Sequence, residues 1–315
     1  MRKIISLSVF GLFLIPNVTF AIDLNTAIQN TKAACSGIDD SLSDLKKMAG
    51  INTAVTAAGT VAGGVALGTG IAKSNVDAEQ QQLMEKVRQL IEKKKDIKIE
   101  KLEIADEQAF MAQIEAAITD GQKDPLSADK EKIEELGKKS KTLGNVRTGT
   151  LAASTVANAA GTAIAATNKV DEDLEEKINK CISATKELSN AKLAAKVENT
   201  ATDTEIANAD KIINACRDYE FVDIKPINKR ATGAAVSSGI GTGTGVVGTI
   251  TSAIANTDKT RNGDAQREKY MNTAANLMSG ATTVASAAAT ILNATQISAI
   301  KKVVTVAETC EGALK

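Results

Sequence analysis

The chain has 315 residues with 38 basic and 38 acidic side chains, and it contains no histidine and no tryptophan. Without histidine there is no Ser-His-Asp triad, no Cys-His dyad and no imidazole ligand for a metal. A balanced charge gives no electrostatic reason for non-specific binding to nucleic acid. We therefore predict a protein that is not an enzyme, with no cofactor, no metal and no nucleic-acid partner.

Residues 1–21 have the pattern of a secretory signal peptide. Arg2 and Lys3 are followed by an apolar run over 4–15, and small residues precede a predicted cleavage after Ala21. The apolar run is too short to cross a bilayer. The sequence thus predicts a bacterial protein exported to the periplasm, the cell surface or the medium.

Four charge-free segments divide the rest of the chain, and they are rich in Ala, Gly, Thr, Ser and Val. They cover residues 48–72, 148–168, 231–257 and 270–300. The first and third contain six glycines each, whereas the second and fourth are rich in alanine. The order Gly-rich then Ala-rich occurs twice, which is the sign of an internal duplication.

The cysteines support the duplication, since one precedes each Gly-rich segment and one follows each Ala-rich segment. They are Cys35, Cys181, Cys216 and Cys310. An even number in an exported chain predicts two disulfides. The predicted domains are the signal peptide 1–21, a first repeat over 22–200 and a second repeat over 201–315.

The Ala-rich segments are predicted helices, because alanine loses no side-chain entropy on ordering. The Gly-rich segments are ambiguous, since six glycines cost a helix roughly 5–6 kcal/mol relative to alanine. The alternation of Gly and Thr leaves a strand or loop open for 239–251. However, small residues recur every four positions from Ala54 to Gly70, which favours a helix that packs closely on a partner.

We therefore predict an all-α fold of duplicated antiparallel helical hairpins with small-residue seams. The predicted seam residues are Gly59, Gly63, Gly241 and Gly245. In such hairpins the first pairing to expect is Cys35 with Cys181 and Cys216 with Cys310, since these lie at the hairpin bases. The pairing of 35 with 310 and 181 with 216 ranks second.

The segment 73–147 is a long charged tip on the first repeat. Apolar residues recur there every seven positions, at Leu83, Leu90, Ile97, Ile104, Met111 and Ile118. This spacing predicts a coiled coil, and an ordinary amphipathic helix explains it equally well. A turn is predicted at 121–125 and a return helix around Ile133 and Leu136.

Two motifs invite a chemical interpretation. Gly243-x-Gly245-x-x-Gly248 matches the dinucleotide fingerprint, but no strand-turn-helix context surrounds it. The acidic clusters at Asp39, at Glu134 and at 171–173 lack the glycine of a calcium loop. Near Asp171 the acids are better explained as the start of a helix.

Two functions from different classes follow from these patterns. The first is an exported structural or interaction module that contacts an unknown protein partner through the charged tip. The second is a membrane-active protein that inserts Gly-zipper hairpins as a pore-former or effector, since each charge-free segment is long enough to span a bilayer. The sequence favours the first, because the many Gly, Thr and Asn residues in these segments oppose insertion.

Overall fold

The computed structural model describes residues 23–95, 111–112, 115, 125–257, 260 and 265–315. Every element in these ranges is helical, so the predicted all-α class is confirmed. The α-helices are α1 (Leu24–Cys35), α2 (Ile38–Lys95), α3 (Pro125–Thr167), α4 (Glu172–Glu198), α5 (Asp203–Cys216), α6 (Lys225–Ala255) and α7 (Ala265–Leu314), and a 3-10 helix covers Arg217–Phe221. The predicted signal peptide and the predicted turn up to residue 124 lie outside the described residues.

Local side-chain chemistry fixes several helix starts. Thr202 and Glu205 form a capping box before α5, in which the Glu205 carboxylate accepts from the Thr202 amide at 2.8 Å. Asp171 accepts from the Leu174 amide at 2.8 Å at the start of α4. The predicted helix start near Asp171 is therefore confirmed.

The Gly-rich segment 231–257 is helical up to residue 255, as part of α6. The open strand or loop alternative for 239–251 is therefore wrong. The Gly243-x-Gly245-x-x-Gly248 motif lies in the middle of this helix, so it has no strand before it and no phosphate-binding turn. Tight packing around the small residues offsets the low helix propensity of glycine.

The chain divides into two compact units. The disulfide unit contains the described residues up to 38, together with 176–221 and 306–315, and the bundle unit contains 39–175 and 222–305. Each unit takes segments from both predicted repeats. The repeats over 22–200 and 201–315 therefore remain a prediction about the sequence and are not the compact units.

The disulfide unit has two buried cysteine pairs at bonding distance. The Sγ atoms of Cys35 and Cys181 are 1.95 Å apart, and those of Cys216 and Cys310 are 1.96 Å apart. This is the pairing that the sequence ranks first. Two such pairs are consistent with an oxidising compartment.

The disulfide unit also has a conventional apolar core. Leu24, Ile28, Leu188, Ile212 and Tyr219 are at most 4% exposed. Large apolar side chains therefore fill this core around the cysteine pairs, as in most globular domains.

The α2 and α3 helices form a charged arm over 76–95 and 125–141. The amide of Gln80 donates to the Ile133 carbonyl at 3.4 Å, while Met84 and Val87 are buried. Leu83 is only half-buried and Leu90 is 41% exposed. The predicted heptad stripe through Leu83 and Leu90 is therefore wrong in register, and Ile97, Ile104 and Ile118 lie outside the described residues.

We expect the disulfide between Cys216 and Cys310 to stabilise the disulfide unit. Replacing Cys216 and Cys310 by Ser should lower its free energy of unfolding by about 2–5 kcal/mol, because a loop of 94 residues is released in the unfolded chain. Chemical denaturation followed by circular dichroism measures this change. Equal unfolding midpoints for the variant and the parent would contradict the prediction.

Candidate functional site: a charge-free helical bundle

Buried positions in the bundle unit follow a strict heptad, with alternating steps of three and four residues. In α2 they are 49, 52, 56, 59, 63, 66 and 70, and in α6 they are 231, 234, 238, 241, 245, 248, 252 and 255. This spacing keeps the same face of a helix toward its neighbours over many turns, as in a coiled coil. The four long helices therefore share one continuous interior.

Hydrogen bonds and close approaches place all four charge-free segments side by side. Asn52 in α2 donates to Asn293 in α7 at 3.0 Å. A Cβ atom on Gly161 in α3 would lie 3.3 Å from both Asn52 and Ser238, which belongs to α6. These four residues thus define one level of the bundle.

The next level has Asn158 of α3 at its centre. Its amide donates to the Ser286 hydroxyl at 2.7 Å and accepts from the same hydroxyl at 3.0 Å. A Cβ atom on Gly59 of α2 would lie 3.7 Å from the same asparagine side chain, and one on Gly241 of α6 would lie 2.9 Å from it. From one level to the next, residue numbers rise in α2 and α6 and fall in α3 and α7, so neighbouring helices are antiparallel.

The interior of the bundle contains almost no bulky side chains. Within the four charge-free segments, the buried residues are Ala, Gly, Ser, Thr, Asn and Gln, with Leu151 and Ile300 as the exceptions. The interior amides bond to one another, as Asn52 and Asn293 do, and most interior hydroxyls donate to backbone carbonyls, while Asn52 Oδ1, Ser238 Oγ and Gln296 Oε1 are buried without a hydrogen bond. The core of this unit is thus small and polar instead of large and apolar.

The four glycines proposed from the sequence as seam residues are all buried: Gly59, Gly63, Gly241 and Gly245. A Cβ atom on Gly241 would lie 2.9 Å from the Asn158 side chain, and one on Gly245 would overlap the Thr155 hydroxyl. Such distances require the neighbour to move. These helices therefore approach one another more closely than alanine would allow at the same positions.

The row of small residues at four-residue spacing does not stay in the interface. Ala66 and Gly70 are buried, but Ala54 and Ala58 in the same row are exposed. Four residues turn an α-helix about 40° past a full rotation, so such a row moves around the helix. The correct description is a heptad of small residues, not a row of period four.

The outer face of the bundle is aliphatic. Within 51–71, 153–166, 236–254 and 277–294, the exposed residues are only Ile, Val, Leu, Ala and Gly. The larger ones are Ile51, Val61, Val65, Ile71, Val156, Val236, Ile240, Val246, Val247, Ile250, Ile254, Leu277, Val284 and Ile291. No asparagine or glutamine in these ranges is exposed. The distribution is the inverse of that in a water-soluble bundle.

Threonine hydroxyls near this outer face bond back to their own helix. Thr53 donates to the Ala49 carbonyl at 2.8 Å, Thr162 to Asn158 at 2.8 Å and Thr249 to Gly245 at 2.8 Å. Thr60, Thr69, Thr150, Thr155, Thr242, Thr244 and Thr251 follow the same pattern. These hydroxyls therefore need no hydrogen bond from solvent.

The four charge-free segments lie side by side, and we call them together the charge-free layer. This layer is as thick as the apolar part of a bilayer. Its shortest segment, 148–168, is about 31 Å long as a helix, against about 30 Å of hydrocarbon. The helical stretches Leu24–Leu90 and Gln266–Leu314 each contain an 18-residue window that is long and apolar enough to cross a membrane. Only 28% and 33% of those windows are buried, unlike the core helix of a soluble protein.

A cluster of buried charges lies at one end of the layer. The Nζ atom of Lys73 donates to Asp77 at 2.6 Å and to Glu268 at 2.8 Å, and the lysine side chain is fully buried. Asp77 also accepts a hydrogen bond from the Ser140 hydroxyl. The first cation after the α2 segment is thus held by carboxylates from its own helix and from α7.

Arg147 lies directly outside the charge-free segment of α3 and is also fully buried. It donates to Ser252 at 2.8 Å, to Asn272 at 2.8 Å and to Asn276 at 3.2 Å. Burial lowers the pKa of Arg147 to about 10, against the opposing effect of two nearby carboxylates. The guanidinium therefore stays charged at neutral pH and joins three helices.

Among the described residues, one group of side chains has the spacing of metal ligands. The Sγ atoms of Cys35, Cys181 and Cys310 lie within 4.8 Å of one another. All three sulfurs are in disulfide bonds and offer no thiolate to a metal. The predicted acidic cluster at 39–40 is in the first turn of α2, where carboxylates stabilise a helix start.

Comparison with models of known protein families, with characterised proteins and with solved structures gives no match. Inferences about function therefore depend on the bundle itself.

Two glycines in α6 test the close packing as a matched pair. Gly245→Ala should destabilise the fold by about 1–3 kcal/mol, because the new methyl group overlaps Thr155. Gly243→Ala should stabilise it by up to about 1 kcal/mol, since nothing lies within 4 Å and alanine is the better helix former. Thermal unfolding followed by circular dichroism measures both. Changes of the same sign in both variants would contradict the packing.

The buried charge cluster gives a second pair of variants. Arg147→Met removes the donors that Ser252, Asn272 and Asn276 bind and should cost about 1–3 kcal/mol, the usual cost of leaving a buried polar group without a partner. Lys139→Met changes an exposed lysine on the same helix and should cost little. If both variants unfold at the same midpoint, the cluster does not hold the helices together.

Proposed function

We propose that the bundle unit inserts into a lipid bilayer with its aliphatic outer face against the acyl chains. The protein would then be an exported, non-enzymatic and membrane-active protein. The observation that carries this proposal is the inverted distribution of side chains, with amides and hydroxyls inside and aliphatic groups outside. This choice reverses the preference drawn from sequence alone.

The preference changes because the insertion cost depends on which residues face the lipid. Averaged over a whole segment, the Gly, Thr and Asn residues oppose insertion. In α2, however, Asn52 and Thr56 are buried, and the hydroxyls of Thr53, Thr60 and Thr69 bond to backbone carbonyls. A bilayer requires polar groups to be satisfied inside the protein, and these threonines meet that requirement, whereas Asn52 Oδ1 is buried without a hydrogen bond.

The interior also suits helix association in lipid. Lipid tails are as apolar as leucine, so membrane helices associate through close packing and hydrogen bonds between helices. Gly241 against Asn158 and the Asn52–Asn293 bond supply both. In the predicted duplication α2 and α3 are one hairpin and α6 and α7 the other. Gly59 packs against α3 of its own hairpin, whereas Gly63 lies closest to α7, and Gly241 and Gly245 lie against α3, so these three glycines support contacts between the two hairpins.

A second candidate function is contact with a protein partner, and the charged arm favours it. Lys132 pairs with Glu79 at 3.0 Å across the two helices of the arm, and Arg88 pairs with Glu85 at 2.7 Å. This surface is well hydrated and separate from the aliphatic layer. In this alternative the aliphatic face is covered by protein instead of lipid.

The chain contains no tryptophan, so one introduced residue reports on its own surroundings. Val284→Trp replaces a 70% exposed residue in the middle of the α7 layer, and Val197→Trp replaces an 86% exposed residue in the disulfide unit. We expect phospholipids brominated in their acyl chains to quench the tryptophan at 284 strongly. The matched tryptophan at 197 should be quenched little.

This comparison distinguishes the two candidates. Quenching at 284 alone supports insertion, whereas no quenching at either position in any vesicle overturns it and leaves the protein-contact function. Equal quenching at both positions also counts against the proposal, since it indicates general adsorption to the vesicle surface.

A further inference from the structure

Cations surround one end of the charge-free layer, among them Lys46 and six others to which all four bundle helices or their ends contribute. We call these six the basic collar: Lys47, Lys169, Lys229, Arg230, Lys301 and Lys302. Each of the four charge-free segments has one of these cations directly beside it, namely Lys47, Lys169, Arg230 or Lys301. Lys47, Lys229, Lys301 and Lys302 are exposed, and the other two are half-buried.

Contacts between the helices place these cations at the same end. The Asn228 side chain bonds to the Val170 amide at 2.8 Å and to the Val170 carbonyl at 3.0 Å. Gln296 donates to the Asn168 carbonyl at 2.9 Å. Residues 168–170 therefore share a level with 228 and 296, and Lys301 lies about 8 Å farther along α7.

The collar lysines take part in no ion pair among the described residues. Arg230 donates to the Thr295 carbonyl at 3.0 Å, which leaves its charge without a carboxylate. The nearest carboxylates along α2 and toward α4, Asp44 and Asp171, lie farther from the layer than the collar. The collar cations thus have no carboxylate within ion-pair distance among the described residues, and Asp44 and Asp171 lie two or three residues away from Lys47 and Lys169.

The opposite end differs in the burial of the cations that flank the α2 and α3 segments. There Lys73 and Arg147 are fully buried, and Asp77 and Glu268 lie beside them. Two cations and two carboxylates give that cluster no net charge. The exposed Lys269 also flanks this end, directly before the α7 segment, so the two ends differ in how far their cations are buried and paired and not in the sign of their charge.

We infer that the basic collar binds the headgroups of anionic phospholipids and fixes the orientation of the bundle in the membrane. This inference rests on the proposed function. Lysine and arginine beside an apolar span are attracted to anionic headgroups, while their methylene stems stay along the apolar layer. An excess of these residues at one end of a span is also what sets orientation.

The test uses flotation of the full mature chain with vesicles of phosphatidylcholine, with and without phosphatidylglycerol. We expect the wild-type protein to bind the anionic vesicles at least about tenfold more strongly, and added salt to reduce the difference. A collar variant with Lys47, Lys229, Lys301 and Lys302 changed to Gln should lose most of that difference. A control variant changes the exposed Lys138, Lys139, Lys177 and Lys211 to Gln, and it should keep the difference.

The outcomes separate this inference from the proposed function. Equal binding of wild type to both vesicle types, with tryptophan at 284 still quenched, overturns the collar and leaves insertion standing. Loss of quenching in both vesicle types removes insertion and the collar together. An equal loss of binding in the control variant also overturns the collar, because it indicates a general charge effect. Displacement of the protein from vesicles by soluble glycerol phosphate overturns it as well, because it indicates a site for free phosphate.

Discussion

Close approach of four helices is the constraint on which the bundle depends. Gly241 lies against Asn158 and Gly245 against Thr155 at distances that leave no room for a methyl group. Small side chains remove little apolar surface from water, at about 25 cal/mol for each Å², so the hydrophobic effect contributes less here than in a core of leucine. Dispersion contacts between backbones and hydrogen bonds between amides must supply more of the stability.

This kind of interior is costly in water and suitable in lipid. In water, the aliphatic groups of Val284, Ile250 and Val61 remain exposed after folding and contribute nothing to stability. In a bilayer the same groups face hydrocarbon, while Asn52 and Asn158 are shielded from it by the rest of the bundle. The buried cluster around Lys73 and Arg147 then lies where the charge-free layer ends, so its charges need not enter the hydrocarbon.

The sequence predicts helix where composition and spacing agree. The all-α class, the helix start at Asp171 and the glycines at 59, 63, 241 and 245 as buried positions all follow from local pattern. The outcome for 239–251 is harder to foresee, because glycine propensity and the Gly-Thr alternation both oppose a helix. Only the contacts of Gly241 and Gly245 with α3 decide it, and these are tertiary.

One expectation failed and another is revised in our proposal, because a sequence pattern does not give the angular position of a residue in a bundle. In the charged arm the heptad through Leu83 and Leu90 has the correct period, but the buried residues are Met84 and Val87. In the charge-free layer, counting polar residues along a segment treats Asn52 and Ile51 alike. One of them is buried and the other is 44% exposed, so the average hides the property that matters for insertion.

The core of the disulfide unit indicates that the inverted distribution of side chains, polar inside and aliphatic outside, is specific to the charge-free layer. The same chain builds a core from Leu188, Ile212 and Tyr219 when it forms this unit, and those side chains are at most 1% exposed. A general shortage of large residues therefore does not explain the small core of the bundle. Large aliphatic residues are present in the charge-free segments too, and most of them are exposed, with Leu151 and Ile300 as the buried exceptions. The chain buries leucine in one unit and exposes Val284, Leu277 and Ile250 in the other, so the outer face of the bundle is suited to an apolar partner. The thickness of the charge-free layer favours lipid as that partner.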